Sequence, residues 1–335
     1  MAFQVSSRFI PDWPSAEDGI VRLVPPQREA TFGRSPCEGV WSAFTKNHFA
    51  ALQADGDWYG SAGWGGDLRY FNEMAEIGIP AAYCREGARA AALSGDGCLD
   101  FSKGELLKLL SGGLILDIAA LGRLHQLGLG EHTGFVVRGA KEKDTIEQFT
   151  HDPINGRFAG WHRDCRPSFY PESAARIEPM FPQARPLSEI ADFTPKSFGP
   201  TSGVFENRLG GRVAVFGYYP WRSLESLAKT SQLKAVCRWL SRDTLPVYVS
   251  SYVKMAVWCR RDHDRRPAFL LLNASADPLS NISLHVRDAG RLEVADATGH
   301  TEPLQKTGSD GPYGVFRVPA MEPWAPALVS VPKGS

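Results

Sequence analysis

Between residues 79 and 138, short apolar runs alternate with helix-length stretches, and the connections between them are only a few residues long. Ile79–Tyr83, Leu114–Asp117 and Gly134–Arg138 are apolar runs of strand length. Ser102–Leu110 and Ile118–Leu127 carry helical spacing. The first opens with Ser102 followed three residues later by Glu105, a capping box, and stops at Gly112-Gly113; the second stops at Gly128. Upstream, Leu68, Phe71, Met74, Ala75 and Ile77 predict another helix that Gly78 ends, and Ala88–Leu93 reads as an extended segment. Parallel strands need a crossover rather than a hairpin. Strand, helix, strand, helix, strand therefore predicts an α/β fold with a doubly wound, mostly parallel sheet and helices on both faces.

Residues 139–200 break this rhythm. Eight of the 24 prolines fall there and few apolar residues are periodic, so the segment reads as a long irregular excursion, a lid or an interface arm. Regularity resumes with the apolar run Gly211–Gly217 and a helix from about Ser223 to Leu240. After Leu245-Pro246 the texture changes. Val247–Tyr252, Met255–Cys259, Ala268–Asn273, Ile282–Val286, Arg291–Ala295, Val315–Val318 and Ala327–Val331 are strand candidates separated by turn residues, which predicts a small antiparallel β-sandwich. The division expected is an entry or junction segment over 1–40, an α/β domain over 41–243 and a β-sandwich domain over 244–335. Ile20–Val24, stopped by Pro25-Pro26, is a strand candidate within the entry segment.

Lys plus Arg equals Asp plus Glu at 37 each. No bulk field draws in nucleic acid or an anionic membrane. The run Arg260, Arg261, Arg265, Arg266 is interleaved with Asp262, His263 and Asp264, a solvated turn rather than a nucleic-acid stripe. Met1–Ile20 lacks the basic-then-apolar order of a secretory leader, and no 18-residue apolar run is present. The six cysteines are scattered without C-x-x-C pairing, which suits reduced thiols and a cytoplasmic location.

Several strings resemble a known arrangement. L-L-S-G-G-L-I-L-D-I-A-A-L-G-R-L-H-Q-L-G-L-G-E (109–131) is similar to the amidotransferase-like domain that follows the TIM barrel in some bacterial glycoside-hydrolase-like proteins. F-E-N-R-L-G-G-R-V-A-V-F-G-Y-Y-P-W (205–221), followed by a helix and L-P-V-Y-V, resembles the end of that domain. L-L-L-N-A-S-A-D-P (270–278) and M-E-P-W-A-P-A-L-V (321–329) resemble the β-sandwich that comes last there. The resemblance covers roughly residues 65–138 and 200–331, and it implies an amidotransferase- or flavodoxin-like sheet. It also implies an accessory region, since those proteins cleave sugars on the barrel. A barrel takes about 200–250 residues, and fewer than 70 precede the first regular unit here. The expectation is a fragment, a truncated homologue, or a subunit whose partner carries the barrel; the partners expected are a carbohydrate, further copies of the chain, or a TIM-barrel protein.

A working amidotransferase needs a Cys on a strained strand-to-helix turn and a His held by Glu. Cys84 follows the strand Ile79–Tyr83 but lacks a preceding glycine, Cys98 has the glycine but no clear strand, and the His-x-Glu of the chain, His300–Glu302, lies in the C-terminal part. Buried structural thiols are the better reading. His162 with Cys165, or Cys259 with His263, gives two metal ligands where a closed site wants four, so no metal and no cofactor are expected. Gly60–Gly66 is glycine-rich but lacks the Lys of a phosphate loop.

Sugar contact has more support. Trp58, Tyr59 and Trp64, with Tyr70 and Phe71, offer flat rings for the C–H faces of a pyranose, and Asp57 and Asp67 offer acceptors for hydroxyl groups. Trp161 and Trp221 extend that set. The same aromatics would also serve to seal a domain junction. Among carboxylates, Glu206 stands out because it precedes a buried strand and adjoins Asn207. The candidates for catalysis are thus Glu206, Asp67 and Cys84; those for carbohydrate binding are Trp58, Tyr59, Trp64, Asp67 and Trp161. Two readings follow: a non-catalytic accessory and assembly region, or a free-standing glycosidase or amidase using carboxylates of the α/β domain or of the 139–200 excursion, for which two carboxylates, or a Cys and a His, must converge in one pocket.

Overall fold

The computed structural model describes residues 39–43, 73–82, 87–93, 98, 101–142, 145–164, 173–194, 196–220, 224, 226–261, 266–296 and 298–332. Its main element is a 14-stranded sheet with a parallel centre and antiparallel flanks. The centre contains β1 (Val40–Ala43), β2 (Ile77–Ala82), β3 (Ala90–Leu93) and β4 (Gly113–Leu116). β1 pairs in parallel with both β2 and β3, and β3 pairs in parallel with β4. β3 (A-A-A-L) and β4 (G-L-I-L) are buried at every position, as strands covered on both faces must be.

Helices start where the sequence supplies a cap. Before α1 (Lys103–Leu110), Ser102 Oγ accepts from Glu105 N at 3.3 Å and the Glu105 carboxylate accepts from Ser102 N at 3.0 Å. Asp117 caps α2 (Ile118–Gln126), accepting from Ala120 N at 2.7 Å. Ser226 caps α3 (Leu227–Leu240). Side chains alternate along a strand, so neighbours in β4 feed opposite cores. Leu114 and Leu116 join Leu106, Leu110, Leu121 and Leu124 of α1 and α2. Ile115 joins Leu233, Val236 and Leu240 of α3 on the other face.

After α2 come β5 (Phe135–Glu142), β6 (Ile146–Phe149), β7 (His162–Asp164), β8 (Ser173–Pro179), β9 (Arg185–Ala191), β10 (Ser197–Glu206) and β11 (Arg212–Phe216). β5 and β8 form a separate antiparallel ribbon. β11 pairs in parallel with β4 and antiparallel with β10, and β9, β6 and β7 continue outward in antiparallel order.

The C-terminal strands are β12 (Val247–Val249), β13 (Met255–Arg261), β14 (Pro267–Asn273), β15 (Ile282–Arg287), β16 (Glu293–Ala295), β17 (Thr301–Pro303), β18 (Gln305–Asp310), β19 (Tyr313–Val318) and β20 (Pro326–Ser330). β13 pairs in parallel with β2, Met255 opposite Ile77, so the main-chain ladder runs on into β14, β20, β16 and β17. β12, β15, β19 and β18 form a four-stranded antiparallel sheet. Val257, Phe269 and Val329 of the large sheet share a core with Leu284 and Phe316 of the small one. Arg238 of α3 ties this unit down, donating to Asp310 Oδ2 at 2.8 Å and to the Tyr248 hydroxyl at 3.0 Å. Among the described residues, no helix is long and apolar enough to cross a membrane.

The doubly wound α/β expectation is overturned. Among the described residues strand outweighs helix by 45% to 19%, and the sheets are mixed and antiparallel with a curled half-barrel. Three differences account for this. Gly134–Arg138 is a strand, but as β5 it leaves the sheet instead of adding the next parallel member. The 139–200 segment is not an irregular excursion, since it holds β6 to β9 and the start of β10. Its strands hide because β10 is buried only over its second half and its pairing with β9 slips register three times, which destroys a period-2 apolar pattern. Nor do the C-terminal strands make a free-standing sandwich, because β13, β14, β20, β16 and β17 belong to the large sheet. The helix expected up to Ile77 is, over its described part, a 3-10 turn at Glu73–Glu76, and Ile77 already begins β2.

Candidate functional site

The carboxylate singled out in the sequence lies in a pocket. Glu206, at the end of β10, lines a cavity of about 290 Å³ together with Glu131 and His132 after α2, Phe181 and Gln183 before β9, and Asn207 beyond β10. That is close to the lower end of ligand pockets, about 300–1,000 Å³. Asn207 builds it. Its Nδ2 donates to Leu110 O at 2.9 Å and to His132 O at 3.0 Å, while its Oδ1 accepts from Leu209 N at 3.0 Å and Gly211 N at 3.1 Å. One buried amide thus pins the β10–β11 turn to the end of α1 and to the 3-10 turn Gly130–His132. Phe205 stacks on Phe181 with ring centroids 5.4 Å apart. Its ring lies against Gly134 (φ +78°), where a Cβ would approach within 2.3 Å of Phe205 Cγ. Only glycine fits there.

Glu206 is held ionised. Arg242 Nη2 donates to Oε1 at 2.8 Å and Arg212 Nε to Oε2 at 3.2 Å. The Arg242 hydrogen bond, followed by that of Arg212, keeps the carboxyl below its ordinary value despite partial desolvation. Glu131 Oε1 lies 3.7 Å from Nε2 of the adjacent His132. The pocket therefore offers an aromatic wall and anionic acceptors, suited to binding a polyhydroxylated ligand.

A second polar cluster is sealed. Glu147 of β6 is fully buried, with Arg163 Nε 2.6 Å from Oε2, and Lys229 Nζ 3.1 Å and Ser188 Oγ 2.5 Å from Oε1. Tyr218 donates to the same oxygen. Burial alone would push this carboxyl up; the Lys229 and Arg163 charges and the Ser188 and Tyr218 donors bring it down to about 2. Lys229 also donates to Gln232 Oε1 at 2.7 Å, and Gln232 to Asn155 Oδ1 at 2.8 Å. With Glu147 and Lys229 both wholly buried, the cluster fastens α3 to β6 rather than meeting a ligand.

Of the residues expected from sequence, Trp58, Tyr59, Trp64, Asp67 and Cys84 lie outside the described residues, as do Asp57, Tyr70, Phe71, Cys165, Trp221 and His263. Trp161 is 56% exposed and meets Phe158 edge to face at 5.1 Å. It does not line the Glu206 pocket. Cys98 and Cys259 are buried. Among the described residues, no group of three or more His, Cys, Asp or Glu is placed to hold a metal ion.

Comparison with solved structures places this fold. The chain is similar to an α-L-fucosidase. With α-L-fucosidase isoenzyme 2 from Paenibacillus thiaminolyticus it shares a TM-score of 0.58 at 14% identity, over 90% of this chain and 50% of that one. A cycloisomaltooligosaccharide glucanotransferase from Paenibacillus sp. overlaps 31% of this chain and 20% of its own, with a TM-score of 0.23 and 14% identity. The chain spans about half the length of the fucosidase it matches. No family model matches it, and no curated protein does.

Sequence reasoning singled out Glu206, with Asn207 only as its neighbour, and missed Glu131, His132, Phe181 and Gln183, which come from separate turns and carry no shared local pattern. It missed the Glu147 cluster as well. The one local signal was Lys229 and Gln232 on a helix otherwise buried through Leu233, Val236 and Cys237.

Proposed function

We propose that the chain is a non-catalytic accessory and assembly region of a glycoside-hydrolase-like, carbohydrate-active protein, with sugar contact at the Glu206 pocket and at the exposed ring of Trp161. The observation that carries this reading is the match of nine-tenths of the chain to half of a fucosidase chain. The chemistry of the pocket supports it. Glycoside cleavage needs a carboxyl kept protonated by a raised pKa, facing a second carboxylate. Glu206 does not fit the acid of such a pair, being an ionised group with both oxygens committed to arginines. Such a group accepts hydroxyl hydrogen bonds and does not deliver a proton. The partner proposed is a further copy of this chain or a polypeptide that carries a catalytic barrel.

Glu131 and Glu206 share one pocket, and that observation favours the second reading, a free-standing hydrolase using this pair. Incubation of the purified chain with a panel of 4-nitrophenyl glycosides, α-L-fucoside included, separates the two. The accessory reading expects no release of nitrophenol above buffer. Turnover abolished by Glu206→Gln would overturn it.

A further inference from the structure

The small sheet turns a polar row toward α3. Val247 and Val249 of β12 and Leu284 and Val286 of β15 enter the C-terminal core. Side chains alternate along a strand, so Tyr248, Ser250 just beyond β12, and His285 share the opposite face, with Tyr248 paired directly to His285. The two rings stack with centroids 4.4 Å apart. Asp310, the last residue of β18, lies 3.5 Å from His285 Nδ1, and Ser250 Oγ lies 2.9 Å from His285 Nε2. Ser250 is exposed, while His285 and Tyr248 are buried.

The hydrogen bonds fix where the imidazole proton sits. The Tyr248 hydroxyl meets Asp310 Oδ2 at 2.7 Å, Arg238 Nη1 at 3.0 Å and His285 Nδ1 at 2.8 Å. Burial pushes the phenol up, so it keeps its proton. Burial would also raise the Asp310 carboxyl, but the Tyr248 hydrogen bond and the Arg238 charge bring it below its ordinary value. A carboxylate only accepts and a guanidinium only donates. The single phenol proton therefore goes to Asp310, and the phenol oxygen accepts from Nδ1–H. Nε2 is left with its lone pair toward the Ser250 hydroxyl. Burial, with the Arg238 and Lys234 charges, outweighs Asp310 and holds the imidazole below its ordinary 6.5, so the ring is neutral at pH 7. A hydroxyl that donates to a neutral imidazole, itself oriented by a carboxylate, forms the nucleophile and base of acyl transfer.

We propose that Ser250 is the nucleophile, and His285 its base, in the hydrolysis of small carboxylic esters. Tyr248 and Asp310 act through His285 and are positioning residues. Ser250 Oγ bonds to the ester carbonyl carbon as its proton passes to Nε2. The C–O bond to the alcohol breaks, and the imidazolium gives that proton to the departing alkoxide. Water then attacks the acyl-serine and gives a proton to Nε2; the carboxylic acid leaves and Ser250 recovers the proton. Esters are the class because an alkoxide leaves more readily than an amine anion, and an exposed serine at a strand end is open to a small acyl group. The accessory reading concerns glycosidic bonds, so this inference goes beyond it and stands independently of it.

The test combines a fluorophosphonate probe, located by peptide mass spectrometry, with hydrolysis of 4-nitrophenyl acetate. The folded full chain should be phosphonylated at Ser250, and the same chain unfolded in urea should not. His285→Gln should slow that labelling by about a hundredfold or more. Ser250→Ala, which alters an exposed hydroxyl, should lose ester turnover while melting like the parent. Labelling should fall in acid as His285 takes a proton. Asp310→Asn removes a charge that favours the imidazolium, so it should move that midpoint to lower pH. Absence of label on Ser250, equal labelling in the unfolded chain or in His285→Gln, or parent turnover no faster than that of Ser250→Ala would overturn the proposal. An unmoved midpoint in Asp310→Asn would overturn the part given to Asp310.

Discussion

Lys229 Nζ lies 3.1 Å from Glu147 Oε1, and neither side chain is exposed to solvent. The pair joins α3 to β6 across 82 residues of sequence. Removing one member of a buried ion pair leaves the other charge inadequately compensated. Lys229→Met is expected to destabilise the fold by about 3–5 kcal/mol, read from the urea midpoint at neutral pH.

Glu147 also sets an acid limit. Its carboxyl is lowered from 4.5 to about 2 in the folded chain. A carboxyl with a depressed folded value contributes stability that is full above its unfolded value and lost as pH falls through the folded one. The contribution is therefore present above about pH 4.5 and disappears between there and about pH 2, amounting to about 3 kcal/mol at 1.36 kcal/mol per pH unit. Urea unfolding across that range should show the decline, and Glu147→Gln should flatten it.

Lys234 acts in the opposite range. Burial pushes its ammonium down from 10.5 to about 7, while Nζ donates to Ser251 O at 2.8 Å. Between those two values the unfolded chain holds a proton that the folded chain has released, so stability rises with pH from about 7 to 10.5. Lys234→Met should raise the melting temperature at pH 7 and remove the alkaline rise, as a thermal series over that range would record.

Asn207 holds two carbonyls and two amides with one side chain. Asn207→Ala strands Leu110 O and its neighbours and should cost about 1–3 kcal/mol. Because the same bonds shape the Glu206 pocket, amide exchange should accelerate in the 205–211 turn before it does in β3 or β4.

The parts of the fold that were legible are those governed by local signals. The Ser102–Glu105 box, the Asp117 cap with its following helix, and the wholly apolar β4 are written in contiguous residues. All seven C-terminal strand candidates coincide with strands, but β17 and β18 went unseen because nearly all their residues are exposed and show no apolar alternation. The parallel pairing of β13 with β2 was beyond reach for another reason. It is a contact between backbones some 180 residues apart, and main-chain hydrogen bonds leave no mark on side-chain pattern. At the site, Glu206 and Asn207 were visible as polar residues beside a buried strand. The arginines that neutralise Glu206 were not, because Arg242 arrives from the far end of α3 with φ +54°.

The central claim is that the chain holds sugar without cleaving it. Nuclear magnetic resonance of an α-L-fucosyl disaccharide mixed with the purified chain reads both halves at once. The account predicts saturation transfer from protein to disaccharide, with the anomeric signals of the intact glycoside unchanged after overnight incubation. Accumulation of free reducing-sugar signals, abolished by Glu206→Gln, would contradict it.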